Sequence, residues 1–489
     1  MKSKKILALL LAIAMSLPLI ACSKDEAANG GSSTVHWYMQ NPTEKATSKE
    51  SVMAEANKII QEKLGVKLDL HLIDLGSYAE KMNVLLSSRD KMDIAFMSQA
   101  DQYTRGAQNG AFVEITDELL DKHAPTIKAM ATEFMWDMAR VNGKIWGIKG
   151  YGVFSRKPAI VFNKELVEKY NFDYKSVTCL ADLEPYLQTI KENEPDMYPL
   201  LYQTPNKVSE RYSDVTISGL VFDETTETYV PLLETDEYEE LYRLKHKYYK
   251  AGYIPKDAST RTEYLTECKS GKYAVMSDTG YYSEDGSKTT AAYGFPCVEA
   301  PMGSQIITTG GASINCISDT SEMPEKALEV LNIVWEDDYL LNTLAYGVEG
   351  IDYKIDEERS AEIGEKSVIP NSGAAQTWGI WHNWFGPLWK QWDSGWNRRE
   401  ALDEMEQANL VAPVSKGLGF RFNAEPVKSE YAKVTSVKGE YERIFATGSM
   451  EDFDSYLADA KRKLKDAGID VVMAEANKQY AEWKVANGK

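Results

Sequence analysis

The sequence predicts an α/β chain folded into at least two lobes, and three observations carry that expectation. The chain has 489 residues, beyond the roughly 250–300 at which a single hydrophobic core keeps growing. Its hydrophobic fraction of 43% is ample for two cores. Over residues 35–97, short β-branched and aromatic runs alternate with helix-spaced runs, the pattern of βαβ units around a parallel sheet.

The first 34 residues stand outside that pattern. Lys2, Lys4 and Lys5 precede an almost wholly apolar stretch, residues 6–20, which is too short to span a bilayer comfortably and reads as a secretory signal. Leu19-Ile-Ala-Cys22 resembles the bacterial lipobox, in which the cysteine is lipidated and becomes the first mature residue; the alternative is a chance cysteine after an ordinary signal peptide. Residues 1–21 are thus expected to be removed, and residues 22–34, made of Ser, Asn, Gly, Ala and charges, to form a tether with nothing to bury. Removing three lysines and no acids leaves 52 basic against 74 acidic residues, a net charge of −22. That balance, with no basic run after residue 5, disfavours nucleic acid and suits solubility outside a cell.

Val35-His-Trp-Tyr-Met39 reads as the first strand, followed by a polar turn at 40–43 and a helix over 52–64 closed by Gly65. Residues 66–72 alternate apolar with polar as a second strand, 78–86 return to helical spacing, and 92–97 form a third strand. Ligands of such sheets sit beyond the carboxyl ends of the strands, here residues 38–44 and 97–103. Further on, Tyr238, Leu241, Tyr242, Lys245 and Tyr249 follow helical spacing, so that tyrosine-rich stretch is expected to be a packed helix rather than a stacking surface. Residues 451–468 alternate acid and base over a leucine-bearing pattern and read as a solvated surface helix. Cys179, Cys268, Cys297 and Cys316 are widely spaced with no C-x-x-C, against a zinc site or disulfide scaffold; a Cys297–Cys316 pair and two free thiols both stay open.

Four segments in order carry a family resemblance: Asp93-Ile-Ala-Phe-Met-Ser98, Gly110-Ala-Phe-Val-Glu-Ile115, Asn142-Gly-Lys-Ile-Trp-Gly-Ile148 and Ile160-Val-Phe-Asn-Lys-Glu-Leu166. They resemble family 1 extracellular solute-binding proteins of ABC importers. Gly271-Lys-Tyr-Ala-Val-Met276, Tyr293-Gly-Phe-Pro296, Gly310-Gly-Ala-Ser-Ile-Asn315 and Pro324-Glu-Lys-Ala-Leu328 continue the match. Tyr346-Gly-Val-Glu-Gly-Ile-Asp-Tyr353, Gly419-Phe-Arg-Phe422 and Ala467-Gly-Ile469 resemble a narrower subgroup, LipO-type lipoproteins with a C-terminal domain of unknown function over 370–489.

The resemblance implies a periplasmic-binding-protein-like fold of the class II type, with two discontinuous lobes joined by a hinge. Lobe 1 is expected to comprise 35–154 plus 308–352, and lobe 2 to comprise 157–305 plus 356–489. The chain would cross near 154–158, return near 308–311 and cross again near 347–353, with Gly147, Gly150, Gly152 and Gly310-Gly311 as punctuation.

Enzyme signatures are absent from the sequence. The histidines, His36, His71, His123, His246 and His382, never fall four apart, so there is no H-E-x-x-H helix; G-x-S-x-G, the P-loop and a complete G-x-G-x-x-G are missing as well. No catalytic residue, metal or cofactor is expected, although paired carboxylates of a glycosidase are not something a sequence can rank. Binding needs apolar plates and a few polar groups in a cleft. Trp37 and Tyr38 in the first strand, Asp101 and Tyr103 after the third, and Tyr151 before the first crossing are the candidates on lobe 1. On lobe 2 the resemblance adds Gln203 and Asn206 in a pocket loop, and Tyr281 with Tyr282 where relatives place an aromatic against sugar.

Six of the eleven tryptophans lie in Thr377-Trp-Gly-Ile-Trp-His-Asn-Trp-Phe-Gly-Pro-Leu-Trp-Lys-Gln-Trp-Asp-Ser-Gly-Trp396. Trp381, Trp384, Phe385, Leu388 and Trp392 recur at three and four residues, which predicts one helical stripe, broken near Pro387, against the core of the second lobe. Trp378 stands apart from the stripe, and relatives place a sugar-stacking aromatic at a comparable entry; it is the preferred ligand plate, with Trp381 next. The functional expectation is a monomeric receptor, exported and held by lipid on Cys22 at the outer face of the bacterial cytoplasmic membrane. It would capture a carbohydrate, an oligosaccharide before a peptide or other small solute, and present it to an ABC permease. The reading from another class is a cell-surface glycan hydrolase.

Overall fold

The structure is a computed structural model that describes residues 33–42, 46–155, 158–202, 211–277, 282, 286–302, 306–308, 312–395 and 397–488. Nine strands build its two main sheets: β1 (Thr34–Asn41), β2 (Lys67–Asp74), β3 (Ile94–Met97), β4 (Ile148–Lys149), β5 (Ala159–Asn163), β6 (Tyr198–Leu200), β7 (Tyr273–Ser277), β8 (Cys297–Pro301) and β9 (Ile314–Ile317). The first sheet runs β2-β1-β3-β9-β4 and the second β8-β5-β7-β6, so the chain leaves the first sheet after β4 and returns to it with β9. Each sheet has its own core, and the fold is a two-lobed α/β architecture.

The helices that matter for the site are α1 (Lys49–Leu64), α2 (Tyr78–Ser88), α3 (Ala100–Gln108), α4 (Glu133–Ala139), α5 (Asp236–Lys250), α6 (Pro324–Glu336), α7 (Asp338–Tyr346), α8 (His382–Phe385), α9 (Arg399–Val411), α10 (Lys428–Thr447), α11 (Phe453–Ala467) and α12 (Ile469–Ala486). β1, α1, β2, α2 and β3 follow the sequence reading closely. Gly65 closes α1 in the left-handed region, at φ 70°, with its N–H on the Gln61 carbonyl, a conformation glycine adopts without a Cβ clash. β1 pairs in parallel with both β2 and β3, whereas β9 pairs antiparallel with β3 and β4.

Alternation along β1 turns Val35, Trp37 and Met39 into the core and His36 and Tyr38 out of it. Each of these fully buried large side chains contributes about 1.5–3 kcal/mol of apolar transfer energy. The tyrosine-rich stretch is the helix α5, with Tyr238, Leu241, Tyr242, Lys245 and Tyr248 buried; burial lowers the Lys245 ammonium to about 7. Residues 451–468 hold α11, whose Phe453, Leu457, Ala460 and Leu464 pack inward while its opposite face carries ion pairs such as Arg462 with Asp466. α10, α11 and α12 all close the second core, and Tyr480 donates its hydroxyl proton to the Lys416 carbonyl at 3.0 Å. None of the described helices is long and apolar enough to cross a membrane.

Three sequence expectations change. The third crossing does not lie at 347–353: there the chain turns into a small sheet of residues 353–355, 367–370 and 393–394 beside Tyr346, and then stays with the first core. Trp378, Ile380, Trp384, Phe385, Trp389, Leu402 and Met405 all belong to that first core, so the tryptophan segment packs on lobe 1 and not on lobe 2. Nor is the segment one helix. α8 spans only four residues, and Pro387, which cannot donate a backbone proton, precedes a single 3-10 turn. The chain enters the second core only at Phe420. Finally, Cys297 lies in the second sheet and Cys316 in the first; both are buried free thiols, so no bridge joins them.

Candidate functional site

β1, β3 and β4 all end at the same edge of the first sheet, where antiparallel β9 begins. The chain leaves for the second lobe from that edge, between Lys149 at the end of β4 and Ala159 at the start of β5. The carboxyl ends of the strands and the hinge therefore share one border, the place where α/β sheets present ligands.

Three passages of chain join the lobes there, and they are bonded to one another. Met302 donates its N–H to the Pro158 carbonyl at 2.6 Å, tying the second passage to the first. Ile307 donates to the Pro413 carbonyl and accepts from the Ser415 N–H, both at 2.8 Å, so the second and third passages pair like a short parallel ladder. Asn409, from the end of α9, accepts the backbone protons of Phe154 and Ser155 and donates to the Gly152 carbonyl, which joins the third passage to the first. Met138, Ile307 and Leu418 form a small apolar cluster beneath these bonds.

At the lobe 1 border, Gln40 donates to the Ser98 hydroxyl at 2.8 Å, linking the ends of β1 and β3. Asp101 lies in the first turn of α3, exposed, with its carboxylate 2.8 Å from Arg105. Trp381 is 57% exposed; its ring lies 4.8 Å from that of Trp384, which in turn packs 5.0 Å from Phe96 near the end of β3. Gly150 and Gly152 run directly under α8: a Cβ on Gly150 would sit 1.9 Å from the Asn383 carbonyl oxygen. The close approach of these backbones places the exposed indole of Trp381 beside the hinge. Such a flat, partly anchored ring stacks on an apolar ligand face while its packing against Trp384 limits the entropy lost.

The structure separates the sequence candidates. Trp37 is fully buried, its indole N–H bonded to Asn315 at 3.1 Å and its ring edge-on to Phe385; strand phase, not its residue type, decides this. Tyr38 faces the opposite side of β1, stacked on His71 at 4.4 Å and away from the hinge border. Tyr103 is buried against Phe112 and bonds the Ala139 carbonyl, with the Arg421 guanidinium 5.5 Å from its ring. Tyr151 is buried edge-on to Trp389 at 3.9 Å. Trp378 is 3% exposed and donates its indole proton to the Leu344 carbonyl at 2.9 Å, which makes it a core residue and not a ligand plate. Asp101 and Trp381 are the exposed lobe 1 candidates, while Tyr38 is half-buried on the other face of β1. On lobe 2, Tyr282 is half-buried, while Gln203, Asn206 and Tyr281, like Cys22, lie outside the described residues.

The sequence reading marked the strand ends but missed Gln40, Ser98 and Asn409. Gln40 was within reach, since it is the first polar residue after a strand whose alternation is visible. Asn409 was not, because its partners are more than 250 positions away. Nearby, Lys149 is buried with its ammonium on the Ala312 carbonyl at 2.6 Å, and burial, with Arg421 adding to it, lowers it to about 7.

Residues 416–485 match the Domain of unknown function DUF3502. A carbohydrate ABC transporter substrate-binding protein of Streptococcus pneumoniae serotype 4 is 28% identical over 486 residues, covering 96% of each chain. The N-glycan transport solute binding protein NgtS of Streptococcus pneumoniae superposes with a TM-score of 0.80 at 27% identity, covering 94% of this chain and 100% of that one. The same protein in complex with Man5GlcNAc gives a TM-score of 0.64 at 27% identity, covering 92% and 98%. In sequence along nearly its whole length, and in its two-lobed fold, the chain is similar to solute-binding proteins of ABC transporters.

Proposed function

We propose that this protein captures an oligosaccharide between its lobes and presents it to the membrane permease of an ABC importer, leaving the sugar chemically unchanged. The observation that carries the sugar reading is Trp381, an exposed indole held at the hinge-side border of lobe 1 by Trp384 and flanked by the Gly150–Gly152 passage. The likeness to a protein seen in complex with Man5GlcNAc supports a mannose- and N-acetylglucosamine-bearing ligand. A ligand that touches both lobes binds the closed arrangement more tightly and shifts the hinge equilibrium towards it. Asp101 and Tyr282 are the further surface contacts we assign, and Gln203, Asn206 and Tyr281 are kept as candidates from the sequence alone. Lipid on Cys22 would hold the monomeric receptor at the outer membrane face, with the residues between Cys22 and β1 as its tether; Thr34, expected in the tether, is the first residue of β1.

Calorimetric titration of the purified protein with N-glycan fragments, other oligosaccharides and peptides tests this reading, together with chromatography of the recovered ligand. Tight binding of a glycan recovered intact is expected. Release of new reducing ends would establish a hydrolase instead, and binding of peptides alone would remove the carbohydrate assignment.

A further inference from the structure

The opposite edge of the first sheet carries a second constellation. β1 and β2 are parallel over eight paired positions, in a register that sets His36 beside Asp69 and Tyr38 beside His71. Side chains alternate along a strand, so these four share one face, the face turned away from Trp37 and Met39. The separations are 2.9 Å from His36 Nδ1 to His71 Nε2, 3.4 Å from His71 Nε2 to Asp69 Oδ2, and 4.0 Å from His36 Nδ1 to Asp69 Oδ2. Three donor atoms on a tetrahedral zinc ion with bonds of about 2.0–2.1 Å lie about 3.3–3.5 Å from one another, so the triangle brackets the required size.

We propose that His36, Asp69 and His71 bind one zinc-class divalent cation. The donor set is two imidazoles and a carboxylate, which suits zinc, copper or nickel and not calcium or magnesium, whose sites are built from oxygen. The surroundings hold the donors in place. Lys49 pairs with Asp69 Oδ1 at 2.8 Å, leaving Oδ2, the oxygen nearer both rings, for the ion. Tyr38 lies flat on the His71 ring, 4.4 Å between centroids at 8°, and fixes its orientation. The side chains of His36, His71 and Asp69 are 44%, 33% and 38% exposed, so the ion reaches them from solvent. Beside them opens a cavity of about 290 Å³ bordered by Tyr38, Lys91, Asp93 and Glu322, which leaves room for water in the fourth position. The bound ion would pin β1, the first strand, to β2 at the sheet's edge. No helical spacing announces such a site, since its ligands come from two strands brought together by pairing.

The test is titration of the untagged protein with zinc by calorimetry, with melting followed in parallel and calcium as the comparison cation. One equivalent of zinc is expected, with a melting temperature that rises with zinc and is unmoved by calcium, because a ligand of the folded state stabilises it by mass action. H71Q and D69N should each weaken zinc binding at least tenfold, while H123A, at a histidine paired with Glu329 and outside the constellation, leaves it unchanged. Melting each variant in chelator establishes that it is folded; a variant that melts as the parent does there but gains nothing from zinc supports the site. Absent binding, a stoichiometry other than one, or undiminished binding in H71Q and D69N would overturn it. Glycan binding is measured alongside and stands or falls separately.

Discussion

Asn409 and Ser155, 254 positions apart in sequence, are joined by a 3.0 Å hydrogen bond from the Ser155 backbone to the Asn409 side-chain oxygen. The same oxygen accepts from Phe154 at 2.9 Å and the amide nitrogen donates to the Gly152 carbonyl at 2.8 Å. One buried side chain thus satisfies three backbone groups of the first interlobe passage from the helix that leads into the third. Because an unpaired buried backbone group costs about 1–3 kcal/mol, Asn409→Ala should destabilise the protein by about 2–3 kcal/mol. It should also weaken glycan binding, since the hinge loses its brace. Urea unfolding followed by tryptophan fluorescence, with calorimetry on the folded variant, measures both; an unmoved midpoint would deny the brace its role.

Trp378 and Trp381 are three residues apart and should respond in opposite ways. Trp381→Ala removes a ring that is 57% exposed, so stability should change by less than about 1 kcal/mol while glycan affinity falls about tenfold or more. Trp378→Ala opens a cavity in the first core and strands the Leu344 carbonyl, for a loss of about 3–5 kcal/mol. Paired denaturation and binding measurements on the two variants decide the assignment, and equal affinities for Trp381→Ala and the parent protein would take Trp381 out of the site.

The contrast shows where the sequence was readable. β1, α1, β2, α2 and β3 were legible because their periodicity and the stop at Gly65 are local, and even the inward phase of Trp37 was written in Val35, Trp37 and Met39. The tryptophan segment was not. Its three- and four-residue spacing mimics a helix, yet Pro387 and the contacts of Trp378 with Leu344, and of Trp384 with Phe96, bend it into irregular chain on lobe 1. The third passage was misplaced for the same reason: what holds it, Asn409 on Gly152 and Ile307 on Pro413, is long-range pairing that no window of sequence contains.

Gly150→Ala tests the close approach that seats Trp381. The added Cβ would meet the Asn383 carbonyl at 1.9 Å, with the Ser313 carbonyl at 3.4 Å behind it, so backbone must move. Overpacking of this kind costs about 1–3 kcal/mol. The displaced group is α8, next to Trp381, so glycan affinity should fall with stability. Gly143→Ala, where no atom lies within 4 Å of the new Cβ, is the comparison: its strain comes from φ +77° alone, and binding should survive. Loss of affinity in both variants to the same degree would show that the contact with Asn383 is not what matters.

His382 gives the protein a specific acid sensitivity. It is buried beside the Tyr346 ring, 4.4 Å away, and its Nε2 finds no hydrogen-bond partner among the described residues. Burial disfavours the imidazolium and lowers its pKa from 6.5 to about 3. The unfolded chain takes up this proton near 6.5 and the folded chain only near 3, so the neutral ring costs nothing above 6.5 and penalises folding progressively as the pH falls through that window. At about 1.4 kcal/mol per pH unit, the loss should reach about 2 kcal/mol at pH 5. His382→Gln removes the titrating ring, so the difference in unfolding free energy between parent and variant, measured at pH 8 and pH 5, should shift by that amount in the variant's favour. Carboxylates elsewhere titrate alike in both proteins and cancel, and a difference that stays constant between the two pH values would mean that water reaches the ring and the imidazolium is tolerated.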